Sequence, residues 1–250
     1  MSVHAEPRRR GIVIPIVFTL GAVAVLVALG TWQIERKTWK EGLIAELNAK
    51  LAAAPVALPP RERWPQLSAE QDEFRRVKFS AEFLDQEAFV YTSGSAIRPD
   101  VSGPGYWVLS PARLSDGSLV IVNRGFVPEG RQDAATRREG QPQGVTEIVG
   151  TMRWPEARGP FTPNDTPGKN LWFGRDPAAI AAAKGWGAVA PFYIDQEAPA
   201  APGGLPKVGP LMPNLPNNHL QYAVTWFGLA LAVLISGIVF VRSRRREPAA

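Results

Sequence analysis

Two stretches decide how this chain is organised: residues 11–34, GIVIPIVFTLGAVAVLVALGTWQI, and residues 220–241, LQYAVTWFGLALAVLISGIVFV, neither with a charged side chain. As α-helices they extend about 36 and 33 Å at about 1.5 Å per residue, and each exceeds a hydrocarbon core of about 30 Å. Both therefore predict transmembrane helices. The basic triplet Arg8, Arg9 and Arg10 before the first run resembles the start of a signal peptide. The run is too long for one, however, and Thr31-Trp32-Gln33 is no small-residue cleavage site, so a retained anchor is expected.

Charge outside the runs sets the orientation. Arg8–Arg10 precede the first span and Arg242, Arg244, Arg245 and Arg246 follow the second, which puts both termini on the cytoplasmic side. Residues 11–241, between the two basic termini, are formally neutral, so the net charge of +5 reports topology. It does not point to nucleic acid, for which no binding motif is present; anionic lipid at the inner leaflet is the expected partner of the arginines. With the first span so close to Met1, a long mitochondrial presequence is not expected. The expectation is a multi-pass protein of the bacterial inner membrane with a periplasmic central domain. Its segments are a basic N-terminus (1–10), a span (11–34), the exported domain (35–218), a second span (219–241) and a basic C-terminus (242–250).

The exported segment opens with Leu43, Ile44, Leu47 and Leu51 at helical spacing, so a helix is expected to emerge from the membrane and run until Pro55. Beyond Pro59-Pro60 the periodicity changes to alternation, with Val77, Phe79, Ala81 and Phe83 on one face of a strand. Further strands are expected over residues 88–93, 106–110, 119–123, 145–153 and 192–194. A short helix is expected over 177–184, with Asp176 as its N-cap and Pro177 in its first position. The fold class is thus an α+β membrane protein, in which two terminal transmembrane helices flank a mainly antiparallel sheet or small barrel with a few helices. Residues 131–144 are polar and predict a mobile loop. Six prolines between Pro199 and Pro216 predict an extended return to the membrane.

Composition removes most catalytic chemistry. The 250 residues contain no Cys and only two His, His4 and His219, which excludes thiolate metal sites, disulfides and a Cys nucleophile. There is no phosphate-binding loop, dinucleotide fingerprint or nucleophile elbow, and the expectation is a protein that is not an enzyme. Copper is poorly served, with only Met152 and Met212 outside the membrane. His219 is the one candidate left, placed at the outer start of the second span, with Tyr222 and Trp226 expected on the same face three and seven residues later. It reads in two ways. It is an interfacial polar residue beside an aromatic belt, behind an Asn218 cap, or it is an axial ligand to the iron of an amphipathic haem held between the two helices. The end of the first span offers Trp32, Arg36, Trp39 and Lys40 on one helical face. They are snorkelling interfacial residues or partners for haem propionates. Arg124 is expected to pair with a carboxylate, and Gly125 to take a positive φ or a bulge; direct contact of this segment with haem or a partner protein is the alternative.

Taken in order, several motifs resemble the surfeit-locus (Shy-type) cytochrome c oxidase assembly family. They are Leu29-Gly30-Thr31-Trp32-Gln33 with Arg36 and Trp39-Lys40; Gly105-Tyr106-Trp107-Val108-Leu109-Ser110-Pro111; and Val122-Asn123-Arg124-Gly125-Phe126-Val127-Pro128. Asn170-Leu171-Trp172-Phe173 and Asn217-Asn218-His219-Leu220-Gln221-Tyr222 follow, so the resemblance covers essentially the whole chain. Phe126 stands where the family pattern has Trp, and Ala81 where it has Gly. The resemblance implies an assembly factor that helps haem a enter oxidase subunit I, with His219 as haem ligand and subunit I, and haem a synthase, as partners. A scaffold that stabilises subunit I without binding haem is the alternative.

Overall fold

The computed structural model describes residues 10–246. In chain order its helices are α1 (Arg10–Ala52), α2 (Ala69–Asp72), α3 (Pro177–Lys184) and α4 (His219–Arg246). Its strands are β1 (Val56–Ala57), β2 (Arg76–Phe83), β3 (Ala88–Gly94), β4 (Ser102–Arg113), β5 (Leu119–Pro128), β6 (Val145–Arg153), β7 (Leu171–Trp172) and β8 (Val189–Ala198). The chain divides into two compact units, one of Met1–Ala45 with Pro216–Ala250 and the other of Glu46–Leu215. The two basic clusters read as topology signals fall wholly or partly outside the residues whose side chains are described.

The first unit is a helix pair. α1 is one uninterrupted helix of 43 residues, about 64 Å long, so the expected emerging helix is the continuation of the span itself. Both helices are long and apolar enough to cross a membrane. They run antiparallel, because Gly30 meets Phe227 near one end and Thr19 meets Gly237 near the other. The less exposed residues of α4 are His219, Ala223, Trp226, Ala230, Val233, Gly237 and Val241. That three-and-four spacing is the stripe of a left-handed helix crossing. Three of the seven, Ala223, Ala230 and Gly237, are small, which suits helices in lipid, where close backbone approach rather than hydrophobic drive holds them together. A Cβ on Gly30 would lie 2.6 Å from the Phe227 ring.

The second unit is a barrel. β2 pairs with β6, β6 with β8, β8 with β5, β5 with β4, and the register Glu82↔Arg113, Phe83↔Ala112 joins β4 back to β2. Only β5 and β8 in this ring are parallel. These are the strand order and directions of the OB-type Greek-key barrel. β3 extends the β4 edge and β1 and β7 are two-residue additions. Alternation along the strands sends Val77, Ala81, Ala112, Val122, Ile148, Met152, Phe192 and Ile194 into one apolar cluster, with Trp64 beside Phe192. The opposite parity, including Trp107, Ile121 and Tyr193, packs against Ile180 and Ala181 of α3 and against Trp172 and Trp186. Both faces of β5 are therefore covered, which is why its sequence is nearly continuous in apolar residues.

The α3 limits match expectation, and the Asp176 carboxylate accepts from the Ala179 amide at 3.0 Å. Several strands are longer than expected, notably β4, β5 and β8. The loop expected to be mobile is instead tied down. Its 3-10 turn, Ala134–Gly140, carries buried Arg137, which pairs with Glu87. Arg124 pairs with the same carboxylate at 2.8 Å and donates to the Gly140 carbonyl at 2.6 Å. A polar loop becomes ordered when its charges have buried partners, and those partners are distant in sequence. The Pro-rich stretch is not extended throughout: Pro202–Gly204 forms a 3-10 turn, and beyond it Lys207 pairs with Phe126 as an isolated antiparallel bridge. Gly125, at φ +114°, lies against the Lys207 carbonyl, where a side chain would not fit. The Ala81 departure falls inside the barrel, where its methyl is buried.

Candidate functional site

His219 is the first residue of α4 and lies half-buried on the stripe that faces α1. Its Nδ1 is 2.6 Å from Oε1 of Gln33. Gln33 is buried, with 9% of its surface exposed, and no reading of the sequence assigned it a role. The signal was present, since it is a carboxamide at the end of a span otherwise free of strong polar groups, and polar side chains inside membrane helices tend to face a partner helix. Two further contacts follow on successive turns of α1. The Asn217 Nδ2 donates to the Lys37 carbonyl at 3.4 Å, and the Lys40 ammonium donates to the Pro216 carbonyl at 2.6 Å. The chain entering α4 is thus stitched to α1 through three polar contacts.

The expected cap needs correction. Asn217, rather than Asn218, turns its side-chain oxygen towards the His219 amide, at 3.5 Å; Asn218 contributes its backbone carbonyl to the Tyr222 amide. Tyr222 is also not on the His219 face. It is 55% exposed, because a three-residue step turns about 60° away from the stripe, whereas the seven-residue step to Trp226 nearly completes two turns and keeps that ring on it. Of the aromatic pair, only Trp226 shares the His219 face, two turns further along α4.

Where the apolar part of α1 ends, Trp32 is 52% exposed and so lies off the buried face that carries Gln33. The Arg36 guanidinium lies 3.7 Å from the centroid of the Trp39 ring, a cation–π contact that holds the side chain along the helix. Among the described residues Arg36 has no carboxylate partner, and Lys40 donates to a backbone carbonyl only. Lys37 differs, since its ammonium pairs with Glu41 at 2.7 Å. Two cations therefore keep their charge uncompensated within two turns beyond Gln33. The same cannot be said of copper ligands: Met152 is fully buried in the barrel and Met212 is half-exposed. No group of three or more metal-ligating side chains occurs among the described residues.

The barrel's charged groups are structural in character. Arg124, expected to pair with a carboxylate, does so through Glu87; burial pushes its guanidinium down to about 10 despite that partner. Arg153 is buried too, which disfavours its charge, but Asp195, Glu156 and Glu73 around it prevail and raise its pKa. Arg98 grips Asp100 with two hydrogen bonds of 2.8 Å and holds that carboxyl well below the usual range. Each of these buried cations is matched to an acid, as burial requires.

Residues 20–231 match the family model described as the SURF1 family. The chain is 34% identical to Surfeit locus protein 1 of Rattus norvegicus over 92% of its own length and 76% of the relative's. It is 36% identical to Surfeit locus protein 1 of Homo sapiens, with 82% and 70% covered. A SURF1-like protein of Drosophila melanogaster is 39% identical, with 86% and 73% covered.

Proposed function

The chain belongs to the SURF1 family, and from that premise we propose that it assists cytochrome c oxidase assembly by holding haem a for subunit I at the outer membrane interface. The observation that carries this reading is His219, an imidazole on the apolar face between two membrane helices. It is the only histidine among the described residues. The donor set suits the cargo. A neutral imidazole nitrogen is a haem-iron ligand, and the two uncompensated cations Arg36 and Lys40 lie about 4.5 and 10 Å further along the α1 axis than Gln33. That is the outward direction in which propionates would be met by charge-assisted hydrogen bonds, while a lipophilic tail would remain among lipid. Trp226 lies on the same helix face as the imidazole, about 10 Å further into the span; Trp32 and Tyr222, turned outwards, serve as interfacial anchors in the bilayer.

In this proposal the spans cross a bacterial inner membrane with both termini in the cytoplasm and the barrel in the periplasm, and haem a synthase supplies the cargo. The protein performs no bond chemistry of its own. Protein purified from cells that make haem a should carry its absorption spectrum, and protein from cells lacking haem a synthase should not. Identical, haem-free spectra from both sources would reject the reading. The scaffold alternative draws on the exposed Trp32, Trp39 and Tyr222 rings, which would contact subunit I directly. It requires co-purification with oxidase to survive loss of His219.

A further inference from the structure

The geometry points to Gln33 as the residue that makes His219 a ligand, by fixing which imidazole nitrogen carries the proton; we infer that it is a positioning residue, and the inference rests on the proposed role of His219. A neutral imidazole has one N–H and one free lone pair, and the partner of one nitrogen decides the state of the other. Here the partner of Nδ1 is the Gln33 Oε1, at 2.6 Å. A carboxamide oxygen only accepts, so Nδ1 must donate, and the lone pair is left on Nε2. Ligating histidines are commonly held in this way, with the second nitrogen donating to a protein oxygen that also orients the ring.

Three features of the chain favour this arrangement over a fortuitous contact. Gln33 is itself buried on the α1 face that meets α4, so water does not readily replace it. Gly30, one turn earlier, admits the Phe227 ring and brings the helices close. Beyond it the Asn217 and Lys40 contacts hold the start of α4 to α1, so the amide oxygen and the imidazole are fixed from both sides. A polar pair on an otherwise apolar stripe is costly unless its members bond each other; here the Gln33 oxygen and the His219 Nδ1 do so, and among the described residues Nε2 has no hydrogen-bond partner.

The chain has two histidines, so a His4→Gln background leaves a single imidazole to observe. In full-length protein labelled with 15N-histidine in detergent and kept free of haem, the unmodified Gln33 chain should show Nδ1 protonated and Nε2 bare. Gln33→Leu should shift the population towards the Nε2–H form, and Gln33→Glu, which keeps an acceptor, should restore the Nδ1–H form. Haem a affinity should fall about 10- to 100-fold in Gln33→Leu and recover in Gln33→Glu. A proton on Nε2 in the Gln33 chain, or an unchanged tautomer in Gln33→Leu, would overturn the inference. Because the tautomer is read without haem, the failure of Gln33 as positioner is distinguishable from a failure of the chain to bind haem at all.

Discussion

In the barrel, Glu87 sits between the buried guanidinium groups of Arg124 and Arg137, and Arg124 also donates to the Gly140 carbonyl of the loop that the cluster anchors. On the helix pair, buried Gln33 meets half-buried His219, yet among the described residues the second imidazole nitrogen has no hydrogen-bond partner. The two regions thus solve the problem of buried polarity differently. The barrel neutralises it, because a lone charge in its interior would cost several kcal/mol. The helix pair retains an unused lone pair, which has a use if something else is to bind there. Packing differs in the same sense. The barrel interior is filled by large residues such as Phe192, Ile148 and Met152, whereas the helix stripe is built on Gly30, Ala223, Ala230 and Gly237.

That contrast can be broken from either side. The largest effect is expected for Glu87→Gln, which strands two buried cations. The barrel should lose about 3–5 kcal/mol of unfolding free energy, measured by denaturant titration of the full chain with tryptophan fluorescence. A loss below about 1 kcal/mol would show that the cluster does not hold the loop. Gly30→Leu acts on the other region. Its side chain meets the Phe227 ring, overpacking of this kind costs about 1–3 kcal/mol, and the helices should separate enough to lose bound haem a while the barrel's denaturation midpoint stays put. Retained haem absorbance in that variant would contradict the close approach on which the site depends. The smallest effect is expected for Asp100→Asn. Arg98 holds the Asp100 carboxyl below its usual range, so the folded state binds its proton less readily than the unfolded chain. The pair's contribution is therefore complete above about pH 4 and is lost as the pH falls further. The variant should show a shallower acid limb in a stability–pH profile; an unaltered limb would remove Asp100 as a contributor.

Much of this architecture was legible from local signals. Both spans follow from the absence of charge over residues 11–34 and 220–241, and β2, β6 and α3 follow from alternation and from the Asp176-Pro177 cap. These are nearest-neighbour properties, and the chain states them directly. Barrel closure was not legible, because it depends on Phe83 pairing with Ala112 and on β5 lying parallel to β8 across a long separation. The order of residues 131–144 was missed for the same reason: Arg137 looks like a solvated charge until Glu87 is seen beside it. At the site, His219 stood out because histidine is scarce. Tyr222 was misplaced since proximity in sequence was read as a shared face, and Gln33 was passed over because its partner lies 186 residues away. Single residues can be found by rarity, whereas pairs require the fold.

The central claim is that His219 holds haem a between the two helices. It is tested most directly by comparing the haem a content of purified full-length protein with that of His219→Ala, both produced in cells that make haem a. The account predicts that the substituted protein loses nearly all of the bound haem a while its barrel unfolds at the same denaturant concentration. Full haem a content in His219→Ala would contradict it.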